Sequence, residues 1–83
     1  MNRNEFYSSI LEIILQIQEE VSEKDLIENS NALVDDGILD SISVVELCAI
    51  LEEKYDFEIS LDDMDKSNFN SIEEIVNLMM KYI

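Results

Sequence analysis

Histidine, proline and tryptophan are absent from the 83-residue chain, and cysteine and glycine occur once each, as Cys48 and Gly37. Without histidine there is no Ser-His-Asp triad, no Cys-His dyad and no imidazole-ligated metal. One cysteine allows neither an internal disulfide nor a thiolate cluster, and a lone thiol suits a reducing, cytoplasmic setting. Basic residues are also scarce: five Lys and Arg stand against twenty Asp and Glu, a formal net charge of −15. That balance excludes nucleic acid as a partner, because phosphate-backbone binding needs clustered cations. It also disfavours an anionic membrane surface. No apolar run reaches the length of a membrane span, and the mixed, polar opening MNRNEFYSSI has no signal-peptide pattern.

What is present argues for folding. Hydrophobic residues make up 47% of the chain and fall in patterned blocks, unlike the sparse apolar content of acidic disordered tails. At this length the expectation is one domain, residues 1–83, with a thin core and little room for a deep catalytic cleft.

From about Asn4 to Val21, Phe6, Ile10, Ile13, Ile14, Ile17 and Val21 recur at offsets of three, four and seven, predicting an amphipathic helix. From Ser22 to Asp40 the period decays into turn formers, among them Asn29, Asp35, Asp36 and Gly37. The segment reads as a long loop anchored by Leu26, Ile27, Leu33, Val34, Ile38 and Leu39. A second helix is predicted from Ser41 to Tyr55 with Asp40 as N-cap, then a single turn near Leu61 to Lys66. A last helix is predicted from Ser71 to Tyr82, opened by the capping-box pair Ser71 and Glu74, with Ile72, Ile75, Val76, Met79 and Ile83 as its stripe. The expected fold is all-α: a small bundle of three main helices and a short one, with a long first loop.

The second helix carries two apolar faces. Val44, Leu47, Cys48, Leu51 and Tyr55 make a sufficient core stripe, while Ile42, Val45 and Ala49 project to the other side among Glu46, Glu52 and Glu53. Two readings stay open: a covering loop, or a docking face for a basic partner with apolar contact inside and carboxylates at the edge. Cys48 on the core stripe reads as a small core residue. Ser41, at the helix start, places a hydroxyl where the dipole and free N–H groups favour an attached phosphate. Asp35, Asp36 and Asp40 are near enough in sequence to help hold Mg²⁺ during transfer by a partner enzyme. No general base accompanies Ser41, so a catalytic role for it is not expected.

These residues resemble the phosphopantetheine-dependent carrier proteins. Asp36-Gly37-Ile38-Leu39-Asp40-Ser41-Ile42 looks like that family's modification motif. Val45-Glu46-Leu47 and Leu51-Glu52-Glu53-Lys54-Tyr55-Asp56 look like its second helix, and Phe57-Glu58-Ile59-Ser60 is similar to the stretch that follows. Gly37 to Ser41 and Asp65-Lys66-Ser67-Asn68-Phe69-Asn70-Ser71 are similar to the D-alanyl carrier proteins in particular. The chain departs from the commonest pattern at Ile42, Val44 and Ala49, and lacks the aromatic residue common after the modified serine in that subgroup.

The resemblance implies an acyl-carrier-like bundle that is not an enzyme. Ser41 would be joined to 4′-phosphopantetheine donated from coenzyme A, with Asp40 assisting. Ile42, Val45, Glu46, Ala49, Glu52 and Glu53 would meet partner enzymes. A phosphopantetheinyl transferase, a loading ligase and downstream transferases with basic surfaces would visit a monomeric carrier. Its thioester cargo would belong to a fatty acid, specialised-metabolite or D-alanyl pathway. Two alternatives remain at this point. Asp63, Asp65, Ser67, Ser71 and Glu74 match positions of an EF-hand calcium loop, and a plain acidic helical interaction module would need no prosthetic group.

Overall fold

The computed structural model describes residues 2–82, so the expectation for Ile83 lies outside the described residues. Four α-helices follow in order: α1 (Arg3–Ile17), α2 (Glu23–Glu28), α3 (Ser41–Tyr55) and α4 (Ile72–Tyr82). Two single 3-10 turns, Leu61–Met64 and Lys66–Asn68, lie between α3 and α4. The all-α bundle is as the periodicities predict.

Two boundaries differ from expectation. The first helix stops at Ile17, where the backbone leaves helical geometry at Gln18, so Val21 lies beyond it, half-buried. The expected loop from Ser22 to Asp40 contains α2, six residues that the period analysis does not register because only Leu26 is buried. Ser22 makes α2 possible: its hydroxyl accepts from the Asp25 N–H at 3.1 Å, which satisfies a donor that a two-turn helix otherwise leaves free.

The rest of that connection is anchored as its apolar residues suggest. Leu26, Leu33, Ile38 and Leu39 are buried and Val34 is half-buried, whereas Ile27 faces solvent. The helix α1 packs against α4, α3 and α2, and its Phe6, Ile10, Ile13 and Ile14 meet Val44, Leu47 and Leu51 of α3 and Ile72, Ile75, Val76 and Met79 of α4 in one core. Burying each such side chain contributes roughly 1.5–3 kcal/mol against the entropy of ordering the chain.

The loop that leads to α3 is zipped to the segment before α4. Leu33 N–H donates to the Asn70 carbonyl at 2.8 Å, and Ile72 N–H donates to the Ser30 carbonyl at 3.1 Å. Asn70 Oδ1 accepts from the N–H groups of Val34 and Asp35 at 2.9 and 3.1 Å, and its Nδ2 donates to Asp35 Oδ2 at 3.1 Å. From the other side, Gln18 Nε2 donates to the Ile38 carbonyl at 2.8 Å. Gly37 turns the chain between these fixings with φ +78, a conformation glycine adopts without steric cost.

Candidate functional site

The start of α3 is built by a reciprocal cap. The Asp40 carboxylate accepts from the Ser43 N–H at 2.9 Å, and the Asp40 N–H donates to Ser43 Oγ at 2.7 Å. The Ser43 hydroxyl then donates to the Asp40 carboxylate at 3.0 Å. These bonds from the Ser43 N–H and hydroxyl hold the Asp40 carboxyl below its ordinary 3.8 and keep it ionised. Sequence reasoning placed the cap at Asp40 but missed its partner. The signal was available, since serine three residues after an aspartate completes a box of the same form as the familiar Ser/Glu one.

Ser41 is the first residue of α3 and is exposed, and its hydroxyl makes no hydrogen bond among the described residues. It stands where the aligned dipoles of a 15-residue helix favour a negative group. A phosphate joined to Ser41 Oγ therefore fits this position: the oxygen is free, solvent reaches it, and the neighbouring Asp40 is occupied by the cap. This chain alone does not assemble a Mg²⁺ site among the described residues. Asp35 is held by Asn70 and Asp40 by Ser43, and no group of three or more potential ligands gathers among the described residues.

Below Ser41, α3 divides as its sequence suggests. Val44, Leu47, Cys48 and Leu51 are buried, with Tyr55 half-buried against Phe6 at a ring separation of 5.1 Å. On the opposite side Ile42 is 71% and Val45 56% exposed, and Ala49, Glu46 and Glu53 are exposed too. Of the two readings left open, the covering loop is the one the fold removes. Glu52 differs from the other carboxylates of the set. It is half-buried, and its Oε2 accepts from the Ile59 N–H at 2.7 Å, which fastens the chain after α3 back onto the helix.

Cys48 is a core residue. Burial, with the nearby Glu52 charge adding, pushes its thiol up to about 12.

The residues of the calcium-loop alternative are spent on local structure. Asp65 caps the Ser67 N–H at 2.8 Å, the Ser71 hydroxyl accepts from the Glu74 N–H at 3.0 Å, and the Asp63 carboxylate accepts from the Tyr82 hydroxyl. The segment forms two 3-10 turns rather than one ligand-wrapping loop.

Comparison with known proteins agrees with this geometry. Residues 9–79 match the family model described as phosphopantetheine attachment site. The D-alanyl carrier protein of Listeria monocytogenes serotype 4b is 36% identical over 67 residues, covering 78% of this chain and 86% of the relative. The D-alanyl carrier protein of Bacillus cereus is 42% identical over 60 residues, covering 70% and 76%. No solved structure gives a significant match. The chain belongs to the phosphopantetheine attachment family. It is a carrier protein that tethers thioester intermediates on a covalently attached 4′-phosphopantetheine, and it is not itself an enzyme.

Proposed function

We propose that Ser41 is the attachment residue and that the cargo is an amino acid activated as a thioester, D-alanine being the first candidate. The observation that carries the attachment is the free, exposed hydroxyl at the first position of α3, next to a strip of Ile42, Val45 and Ala49 that nothing in the described chain covers. The cargo reading rests on the relatives, which are D-alanyl carrier proteins.

In the loading reaction a bond forms between Ser41 Oγ and the phosphorus of the phosphopantetheine moiety of coenzyme A. The bond from that phosphorus to the nucleotide breaks, adenosine 3′,5′-bisphosphate leaves, and the hydroxyl proton passes to a base on the transferase. This chain supplies the nucleophilic oxygen on a fixed stretch of backbone, leaving the hydroxyl itself free. The Asp40–Ser43 cap fixes the turn, while Asn70 and Gln18 fix the loop before it. The bound group supplies a terminal thiol on a long arm, which raises the concentration of its cargo at each enzyme visited.

Ile42, Val45 and Ala49 form the contact of the docking face, with Glu46 and Glu53 steering basic surfaces toward it. Glu52 contributes at the end of the strip while tied to Ile59. The transferase, a D-alanine-activating ligase and a downstream transferase are the visitors, and the carrier works as a cytoplasmic monomer.

Incubation with coenzyme A and a phosphopantetheinyl transferase, followed by intact-mass spectrometry, tests the attachment. Wild type gains one phosphopantetheine and Ser41→Ala gains none; a gain that survives Ser41→Ala overturns it. Loading the modified protein with D-alanine, L-alanine or fatty acids by their respective ligases tests the cargo. Preference for a fatty acid overturns that part alone.

A further inference from the structure

Three exposed carboxylates, Asp35, Asp36 and Asp40, crowd the approach to Ser41, and their mutual repulsion favours a splayed loop. The loop is nevertheless closed. The Asp36 N–H donates to the Ala32 carbonyl at 2.8 Å, the Gly37 N–H to the Val34 carbonyl at 3.1 Å, and the Leu39 N–H to the Leu33 carbonyl at 2.9 Å. Leu33 and Leu39 are buried, and only Asp40 separates Leu39 from Ser41.

The opening end of this loop is tied to the bundle through Asn70. The Asn70 carbonyl accepts from the Leu33 N–H at 2.8 Å. Its side-chain oxygen accepts from the Val34 and Asp35 N–H groups, and its amide nitrogen donates to the Asp35 carboxylate. Asn70 is itself held in place, because Phe69 on one side and Ser71 and Ile72 on the other are buried. A continuous path of bonds therefore runs from Asn70 to Leu33, from Leu33 to Leu39, and on into the Asp40–Ser43 cap that encloses Ser41.

We propose that Asn70 is a positioning residue for transfer to Ser41, acting through a polarity-matched pair with Asp35. The inference rests on Ser41 as the attachment residue. All three side-chain bonds need a group that both accepts and donates. A carboxylate at position 70 keeps the two bonds from the backbone N–H groups but sets like charge against Asp35, and a methyl group keeps none of the three. Transfer requires Ser41 Oγ to meet phosphorus in line with the bond that breaks, and a misplacement of about an ångström costs on the order of a hundredfold in such a step. Asn70 lies outside the α3 strip, so its loss acts on orientation and leaves docking in place.

The test measures kcat and KM of a phosphopantetheinyl transferase with coenzyme A for wild type, Asn70→Ala, Asn70→Asp and the reversed pair Asn70→Asp with Asp35→Asn. In the reversed pair the amide at position 35 donates to the carboxylate at position 70, which restores the third bond in the opposite direction. Asn70→Ala and Asn70→Asp should lower kcat by about tenfold with KM within about twofold, and the reversed pair should recover kcat. Amide hydrogen exchange at Val34 and Asp35 should quicken in Asn70→Ala and Asn70→Asp and slow again in the reversed pair. Asn70→Asp and the reversed pair decide the matter where Asn70→Ala does not fold. An unaltered kcat beside quickened exchange overturns the proposal, as do unaltered exchange, an effect on KM alone, or a reversed pair that recovers neither fold nor kcat. A mass gain that survives Ser41→Ala overturns the attachment reading and this proposal with it, whereas a gain confined to Ser41 with an unaltered kcat overturns this proposal alone.

Discussion

α3 and α4 are both rich in large apolar residues, yet they dispose of them differently. α4 puts Ile72, Ile75, Val76, Leu78 and Met79 into the core and leaves Met80, 43% exposed, as its large apolar outlier. α3 buries Val44, Leu47, Cys48 and Leu51 but turns Ile42 and Val45 outward, so its amphipathic character is weak. α4 therefore behaves as a core helix, fully explained by the bundle it closes. α3 has apolar surface left over after the core is complete, beside a free hydroxyl, and folding alone gives no reason for it. Apolar residues that remain outward once the packing requirement is met are the ones left for a role other than folding.

The largest expected difference between the two faces of α3 is chemical. With the Cys48 thiol pushed to about 12 from an ordinary 9.0, its thiolate fraction near neutral pH is lower by roughly a thousandfold. Labelling by a thiol reagent should be slow in the native protein and fast in denaturant; rapid native labelling would mean that the inner face opens freely. Next in size, Ile75→Ala in α4 and Leu47→Ala on the inner face of α3 should each cost about 2–5 kcal/mol in urea unfolding, whereas Val45→Ala should stay within about 0.5 kcal/mol. A large loss at Val45 would place it in the core and remove the contrast.

Val45→Arg sharpens the same comparison from the functional side. It should leave the unfolding midpoint in place and reduce transferase kcat/KM by about tenfold, since a cation would replace apolar contact on the proposed docking face of a basic enzyme. An unchanged kcat/KM would move the docking face elsewhere.

The smallest effects concern charge. Added salt should raise the melting temperature by a few degrees by screening the surplus carboxylates. Mild acid should do the same until the caps fail. The Asp40 and Asp65 carboxyls, chiefly through the N–H groups of Ser43 and Ser67, titrate below 3.8 in the folded chain. Their contribution is complete above that value and is lost as pH falls through the lowered one. Tyr82 behaves in the opposite sense. Its hydroxyl donates to Asp63 and is held above 10.0, so its contribution is complete below that value and disappears as pH rises through the higher one. A melting temperature that falls steadily from neutral pH into mild acid would contradict the charge argument.

The helices α3 and α4 were legible because a stripe repeats several times in each and a capping residue marks the start. α2 was not, because six residues with one buried side chain carry no period, and the hydroxyl that makes it possible is a single serine. The premature end of α1 was illegible for a related reason: Val21 continues the apolar spacing although it lies past the point where the backbone turns away. At the site, Ser41, Asp40 and the outward residues of α3 follow from local spacing. The half-buried state of Glu52 does not, since it depends on where the chain after Tyr55 returns.

The helical class, the exclusion of histidine and disulfide chemistry, and the two-faced character of α3 are readable in the chain before it folds. All of these follow from composition or from a period of 3.6 residues, which are properties of neighbours along the chain. That the outer strip stays uncovered and that Asn70 clasps the loop before Ser41 was settled by the tertiary packing alone. The Asn70 bonds join residues 35 and 36 positions apart, and burial and hydrogen bonding at such separations are set by how the elements pack, which no local pattern encodes.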